Sequence, residues 1–375
     1  MIYLDSAATT FQKPPQVAAA VNAAMFRASS PGRGGHRFGK EAARIAFSCR
    51  EAASNLFHVE NPEQVIFTFN ATHGLNIAIR SLVKPGSRVV ISGYEHNAVT
   101  RPLYAIDNVE IRIASAAPFD TGRILQAFQY EIDSGADVVI CTHVSNVFGF
   151  ILPVSEIAAL CRERDIPLII DASQSAGCVP INFTALGAEF IAMPGHKGLY
   201  GPQGTGLLLC KNDALPLIYG GTGSISALQE MPDFLPDRLE AGTPNIPGIA
   251  GLLEGIRFVS SVGVSGIGQR EKMLIQILGS QLSHIPELRV FLSDNLDIQS
   301  GVLSFEMINM DCERVGEWLS RHGVAVRAGL HCAPMAHRSA GTLDRGTIRA
   351  SVSCYNTKEE IYQTVGCIHQ LLNTQ

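Results

Sequence analysis

The sequence predicts an α/β protein: a large domain built on a mostly parallel sheet covered by helices, followed by a smaller α+β C-terminal domain. Three observations carry this. Between residues 65 and 200, wholly apolar runs alternate with stretches of helical periodicity. A strand apolar on both faces belongs in a parallel sheet with helices on each side. Polar residues then follow those runs at Thr72, His96, Asn146, Asp171, Gln174, His196 and Lys197. In an open parallel sheet the carboxyl ends of the strands meet at one edge, which is where ligands bind. Past residue 205 the alternation stops and loop-rich segments lead into a second unit.

Size and composition bound the rest. A chain of 375 residues with 46% hydrophobic content can bury one large core and a smaller one. A net charge of -5 offers no basic surface for nucleic acid or anionic membrane. The start of the sequence lacks a basic, signal-like segment, and Glu254 and Arg257 interrupt the longest apolar run, so neither export nor a membrane span is expected. The nine cysteines are scattered and contain no C-x-x-C pair. That pattern fits a reducing compartment, and a cytoplasmic protein is expected.

Taken in order, residues 1–15 read as an extended arm that turns at Pro14-Pro15. Residues 16–28 read as an alanine-rich helix. A glycine-rich loop over 29–36 ends at His36, and its mobility suits closure over a ligand. From Glu41 to Phe57 the apolar residues fall at helical spacing. The run 65–69 reads as a strand leading through a polar turn to a helix ending near Leu82. That layout binds phosphate through free N–H groups and the helix dipole; Asn70 or Thr72 capping the helix is the alternative. Strands follow at 88–91, 137–141, 167–170 and 190–193, with a helix after 146 that turns Val154, Ile157, Ala158 and Cys161 to one side. A helix is expected over 246–262, strands near 302–305 and 347–352, and a helix from Asp311 with Val315, Trp318 and Leu319 inward. The last helix opens on a capping box, Thr357 with Glu360, and buries Ile361, Val365, Ile368 and Leu372. The expected division is an arm over 1–15 that packs on the small domain, a large domain over 16–245, and a linking helix with the small domain over 246–375.

The chemistry centres on the apolar run 190–193, which stops at Pro194-Gly195 and delivers His196 and Lys197 on a glycine-rich turn. A lysine whose charge is disfavoured becomes a nucleophilic amine toward carbonyl compounds. Asp171, at the end of another buried strand, would hold a pyridine nitrogen protonated by charge pairing. A protonated pyridine is a strong electron sink. With His96 to stack on a ring, and Thr72, its neighbouring amides and His196 to hold a phosphate, these residues describe a site for pyridoxal 5'-phosphate.

At these residues the chain resembles the cysteine desulfurases and their selenocysteine lyase relatives, within the class V aminotransferase group of fold type I pyridoxal-phosphate enzymes. The resemblance runs from Leu4-Asp5-Ser6-Ala7-Ala8-Thr9 through Ala71-Thr72-His73-Gly74, Glu95-His96-Asn97 and His143-Val144-Ser145-Asn146. It continues through Asp171-Ala172-Ser173-Gln174, residues 195–202 and residues 240–245, and closes with Arg327-Ala328-Gly329-Leu330-His331-Cys332-Ala333 and Arg349-Ala350-Ser351. It implies a pyridoxal-phosphate-dependent transferase fold and a cofactor covalently bound to Lys197, which also shuttles protons. Asp171 pairs with the ring nitrogen, Gln174 bonds the ring hydroxyl, and His96 stacks on the ring. Thr72, His196 and the backbone of His73 and Gly74 hold the phosphate. Thr243 reaches the phosphate of a neighbouring subunit, which makes the active unit a homodimer. Asn146 and Arg349 hold the substrate carboxylate, a task that suits the planar fork of arginine, and His36 and Arg327 complete substrate binding.

Reaction type turns on Cys332. Its surroundings are polar and glycine-containing, which places it on a loop, where Arg327 and His331 favour the thiolate. The resemblance makes that thiolate the acceptor of sulfur from L-cysteine, which leaves as L-alanine. The sulfur is held as a persulfide and passed to an acceptor protein. L-selenocysteine is the alternative substrate, and another class V reaction, transamination or epimerisation with Cys332 incidental, the alternative chemistry. The other eight cysteines, Cys312 and Cys354 included, read as structural. No metal is expected, since His331, Cys332 and His337 fit no common zinc spacing. The glycine clusters at 201–206 and 220–223 do not open a helix after a strand, which excludes a nicotinamide site. Two positions depart from the resemblance: relatives usually carry histidine at Leu330 and serine at Pro194.

Overall fold

The computed structural model describes residues 1–375 except 33, 34, 212, 213 and 375. The chain opens with a short strand, β1 (Ile2–Tyr3), and two helices, α1 (Pro15–Arg27) and α2 (Arg37–Phe57). Helix α2 begins earlier than its apolar spacing indicates because His36 caps it, its Nδ1 accepting from the Gly39 amide at 3.2 Å. Strands and helices then alternate: β2 (Val65–Thr68), α3 (Ala71–Leu82), β3 (Arg88–Ser92), α4 (Asn97–Tyr104), β4 (Glu110–Ala114), α5 (Thr121–Asp133), β5 (Val138–Thr142), α6 (Val154–Arg162), β6 (Leu168–Asp171), α7 (Phe183–Leu186), β7 (Phe190–Pro194) and β8 (Gly206–Cys210).

Seven of the described strands form one sheet in the order β2-β8-β7-β6-β5-β3-β4. From β7 to β4 every pairing is parallel, whereas β8 runs antiparallel to both of its neighbours. Strands β5, β6 and β7 are buried along their whole length, which is why they read as unbroken apolar runs. Because β5, β6 and β7 are parallel, Thr142, Asp171 and Ala192 lie side by side near one edge.

The remainder comprises α8 (Ile246–Val262), α9 (Val264–Ser283), β9 (Leu288–Phe291), β10 (Val302–Met307), α10 (Cys312–Arg321), β11 (Val324–Ala325), β12 (Arg327–Gly329), α11 (Pro334–Ala340), β13 (Thr347–Ser351) and α12 (Lys358–Asn373). A second sheet, β12-β13-β10-β9, is antiparallel throughout. Its core joins Leu274, Leu278, Leu303, Phe305, Val315, Ile348, Ile361 and Ile368. Helix α12 opens on the Thr357–Glu360 capping box, and it buries Leu371 rather than Leu372. Helix α8 joins the large core through Ile246, Ile249, Leu252, Leu253 and Ile256. The N-terminal arm crosses to the second unit: β1 pairs in parallel with β11, and Asp5 bridges to Ser351. No single helix among the described residues is long and apolar enough to cross a membrane.

Candidate active site

The strand ends gather as the alternating pattern requires. A cavity of about 100 Å³ is lined by residues that include Thr72, His96, Asn146, Asp171, Gln174, His196 and Lys197. Strand β6 ends on Asp171, which is buried and accepts from the Ser173 amide at 2.9 Å. Strand β7 ends at Pro194. The chain then folds back, with the Gly195 amide donating to Thr205 and the Gly201 amide to Gly195. A Cβ on Gly195 would meet Thr205 Oγ1 at 2.2 Å, so the turn that presents Lys197 requires glycine there. Burial lowers the Lys197 ammonium to about 8, against the pull of Asp171. That places a lysine amine close to its neutral, nucleophilic form.

The N-terminus of α3 also lines the cavity. Asn70 caps it: its side chain accepts from the His73 amide at 2.9 Å, and its carbonyl from Gly74. The amides of His73 and Gly74 are therefore occupied within the helix start. Those of Ala71 and Thr72 have no partner among the described residues. Asn70 is thus the cap, and Thr72 stands exposed at the first turn. Gly74 lets α3 sit close on the sheet, since a Cβ there would come within 3.3 Å of the Ala192 Cβ.

His96 caps α4, its Nδ1 accepting from the Ala98 amide at 3.0 Å. That bond fixes the ring and leaves the proton of the neutral form on Nε2. Beneath it, Glu95 is fully buried, accepts from the Thr142 amide at 2.7 Å and is pushed up to about 8 by burial. His196 is driven down to about 4, first by burial and then by Lys197 and Lys13, and its Nδ1 contacts Thr9 Oγ1 at 3.0 Å.

The second unit supplies the cysteine. Among the described residues Cys332 alone of the nine is exposed. It follows β12 on a tight turn in which His331 and Cys332 adopt φ of 50° and 56°. Such values are uncommon for residues with a side chain and persist where surrounding contacts hold them. Here the Asn97 amide donates to the Cys332 carbonyl and Asn146 Nδ2 donates to the His331 carbonyl, both at 2.8 Å. Arg327 Nη2 stands 4.0 Å from the sulfur. His331 does not share the expected role. Its ring is buried against Thr347, and burial lowers it to about 2, so it brings no positive charge to the thiol. Arg327 is the cation that meets Cys332.

Arg349, on β13, is almost wholly buried; it donates to the Asn146 carbonyl at 3.0 Å and to Asp5 Oδ1 at 2.8 Å. Thr243 and His36 lie elsewhere. Thr243 is exposed and lines a separate groove of about 1050 Å³ together with His73, Phe69 and Tyr219. His36 is exposed at the start of α2. Within one chain neither lines the cavity that holds Lys197.

Sequence reasoning assigned no role to the N-terminal arm beyond packing, yet the arm touches several of these residues. Gln174 Nε2 donates to the Ala7 carbonyl. The Thr9 and Thr10 hydroxyls and Lys13 Nζ all donate to the His196 carbonyl, and the Thr10 hydroxyl also to that of Lys197. Burial lowers Lys13 to about 8. The signal available was the polar string Asp5-Ser6-Ala7-Ala8-Thr9-Thr10 in an otherwise unremarkable terminus.

The chain is similar to known proteins over nearly its whole length. The profile of the class-V aminotransferases matches residues 2–363. A probable cysteine desulfurase of Methanothermobacter thermautotrophicus is 33% identical over 376 residues, spanning 96% of this chain and 92% of the relative. A cysteine desulfurase of Escherichia coli is 33% identical over 393 residues, spanning 99% and 94%. Among solved structures, the apo form of a cysteine desulfurase from Thermococcus onnurineus aligns with a TM-score of 0.90 and 29% identity, over 100% of this chain and 95% of that one. The strand-end lysine and acid, the exposed cysteine and these full-length likenesses agree: the chain belongs to the class-V aminotransferase family, in its cysteine desulfurase branch.

Proposed function

We propose that this protein takes sulfur from L-cysteine, releases L-alanine and holds the sulfur as a persulfide on Cys332, using pyridoxal 5'-phosphate bound covalently at Lys197. The observation that carries the reading is the exposed Cys332, with Arg327 at its sulfur, on a turn hydrogen-bonded to Asn97 and Asn146 beside the Lys197–Asp171 cavity.

The residues present fit the cofactor. Asp171 is a buried carboxylate suited to a ring nitrogen, and the amides of Ala71 and Thr72, without a partner among the described residues, suit a phosphate at a helix N-terminus. His96, with its ring fixed by the Ala98 amide, suits stacking, and Gln174 and His196 line the same cavity. Bound there, the cofactor supplies an electron sink for the substrate's Cα. Lys197, near neutrality, takes the Cα proton and returns protons to the substrate carbon. Asn146 and Arg349 receive the substrate carboxylate. The Cys332 thiolate bonds to the substrate sulfur while the Cβ–S bond breaks with its electron pair left on carbon. In net terms the substrate's thiol proton ends on Cβ, completing the methyl group of alanine.

Thr243 and His36, outside the cavity of their own chain, belong to a homodimer in which each copy completes the other's site. The exposed apolar side chains of Phe69, Tyr219, Ile225 and Leu228 around that groove support this. A cytoplasmic setting fits nine cysteines of which none is in a disulfide among the described residues, and an acceptor protein would take the persulfide sulfur from exposed Cys332. The division into an arm over 1–15, a large domain over 16–245 and a linking helix with a small domain over 246–375 accompanies this reading.

Mass spectrometry after L-cysteine treatment tests it. The expected result is one added sulfur on Cys332, lost in C332S, with the cofactor's visible absorbance kept in C332S and lost in K197A. Alanine release at the wild-type rate by C332S would overturn it.

A further inference from the structure

Two arginines sit on adjacent strands of the second sheet, and one of them, Arg349, contacts Asn146, which lines the cavity. β12 and β13 pair so that Arg327 lies directly opposite Arg349. Arg349 is buried to 1% exposure. Its Nη1 donates to Asn146 and its Nη2 to Asp5, while Nε, itself buried, has no partner among the described residues. A guanidinium in such a place is costly unless an anion and hydrogen bonds hold it. Asp5 is the carboxylate that does so.

Asp5 is not a mobile surface counterion. The Leu4 amide donates to Ala325, the Ser351 amide to Leu4, and the Ser6 amide to Ser351. The Ala7 amide donates to the Ser351 hydroxyl at 2.9 Å. The Tyr3 hydroxyl spans the bend to the carbonyls of Asp5 and Thr9. The backbone flanking Asp5 is thus bonded to Ser351, at the end of the strand that bears Arg349, and the next residues of the same arm bond Gln174, His196 and Lys197. One segment therefore sets the arginine relative to the lysine.

We propose that Asp5 is a positioning residue for substrate binding: by holding Arg349 through Nη2, it directs the remaining guanidinium N–H groups at the carboxylate of the substrate. The proposal rests on the reading above, in which Arg349 receives that carboxylate. It differs from two simpler roles. A pure counterion would matter for stability alone. A stand-in for the substrate carboxylate would have to be displaced, and its removal would tighten binding.

The test uses the full-length, cofactor-loaded protein with D5A and D5N. D5N keeps the shape and an acceptor but loses the charge. Expected for D5A is a KM for L-cysteine raised about tenfold, with kcat within about twofold of wild type; D5N, which retains a weaker hydrogen bond, shows a rise of about threefold. Binding of cysteamine, which lacks the carboxylate, read from the cofactor's spectral change, stays at the wild-type level in both. Unchanged KM in a folded variant, a lowered KM, or equal weakening toward cysteamine overturns the proposal. If D5A does not fold, D5N decides: a threefold rise in KM supports the proposal and an unchanged KM overturns it. Failure of the wild type to form alanine from L-cysteine would instead overturn the underlying reading.

Discussion

At the scale of single residues, the site depends on how burial sets protonation. Lys197 is lowered to about 8 by desolvation, which outweighs the attraction of Asp171. The sign follows directly. The ammonium is the form that burial disfavours, so the nucleophilic amine gains as pH rises through about 8. We expect the rate at which cofactor-free protein binds pyridoxal 5'-phosphate to increase from pH 6.5 to pH 8.5, which stopped-flow absorbance would follow. A rate flat over that interval would show that the lysine amine does not limit loading. His331 shows the converse case. Its position next to Cys332 suggests a cation for the thiolate, but its ring turns inward to Thr347 and stays neutral. Proximity in sequence fixed neither its direction nor its charge.

At the scale of elements, helix starts do most of the positioning. Asn70, His96 and His36 each cap a helix with a side chain. The cap at Asn70 also decides which amides remain for an anion, because it takes those of His73 and Gly74 and leaves those of Ala71 and Thr72. Replacing Asn70 by alanine removes the side-chain bond to His73 and is expected to cost about 1 kcal/mol of stability. It should also weaken cofactor retention by a few-fold, as α3 frays where the phosphate is received. Thermal melts and cofactor dissociation measured together would check this. A melt unchanged within error would show that the cap is dispensable. The glycine-rich turn after β7 has a similar role: Gly195 fits under Thr205 only without a Cβ, and the lysine two residues on inherits its direction from that packing.

At the scale of the whole molecule, buried acids couple folding to pH. Glu271, on α9, lies inside the protein at 6% exposure and is pushed up to about 8 by burial from its ordinary 4.5. Glu95, beneath the cavity, is raised to about 8 in the same way. Between these pH values the folded chain keeps a proton that the unfolded chain releases, so stability is fully present below about 4.5 and declines as pH rises toward 8. Replacing Glu271 by glutamine should flatten that decline. We expect the variant to gain on the wild type by up to a few kcal/mol between pH 5 and pH 8, read from denaturant melts. An unaltered pH slope would mean that the carboxyl ionises freely in the folded state. The arm works at this scale too, since its bonds to Ser351 on one side and to Gln174 and His196 on the other join the two units across the site.

Much of this was legible from residue order. Apolar runs on buried central strands declare themselves, because both faces of β5, β6 and β7 are covered, and the strand-end placement of Asp171 and Lys197 follows from a parallel sheet. The helix over 246–262 and the capping box of α12 are local features, settled by neighbours in the chain. The short edge strand β4, the antiparallel β8 and helix α9 were not legible. Edge strands keep exposed polar residues, and the direction of a strand depends on partners far away in sequence. Sequence by itself thus determined the alternation of elements, the lysine, acid and cysteine, and the family they mark. Only the tertiary structure decided that Asp5 meets Arg349, that Arg327 rather than His331 meets Cys332, and that Thr243 and His36 stand apart from their own chain's cavity. Those outcomes rest on the burial of individual side chains, as for His331, and on contacts between distant segments, as for Asp5 and Arg349, and neither is encoded in local pattern.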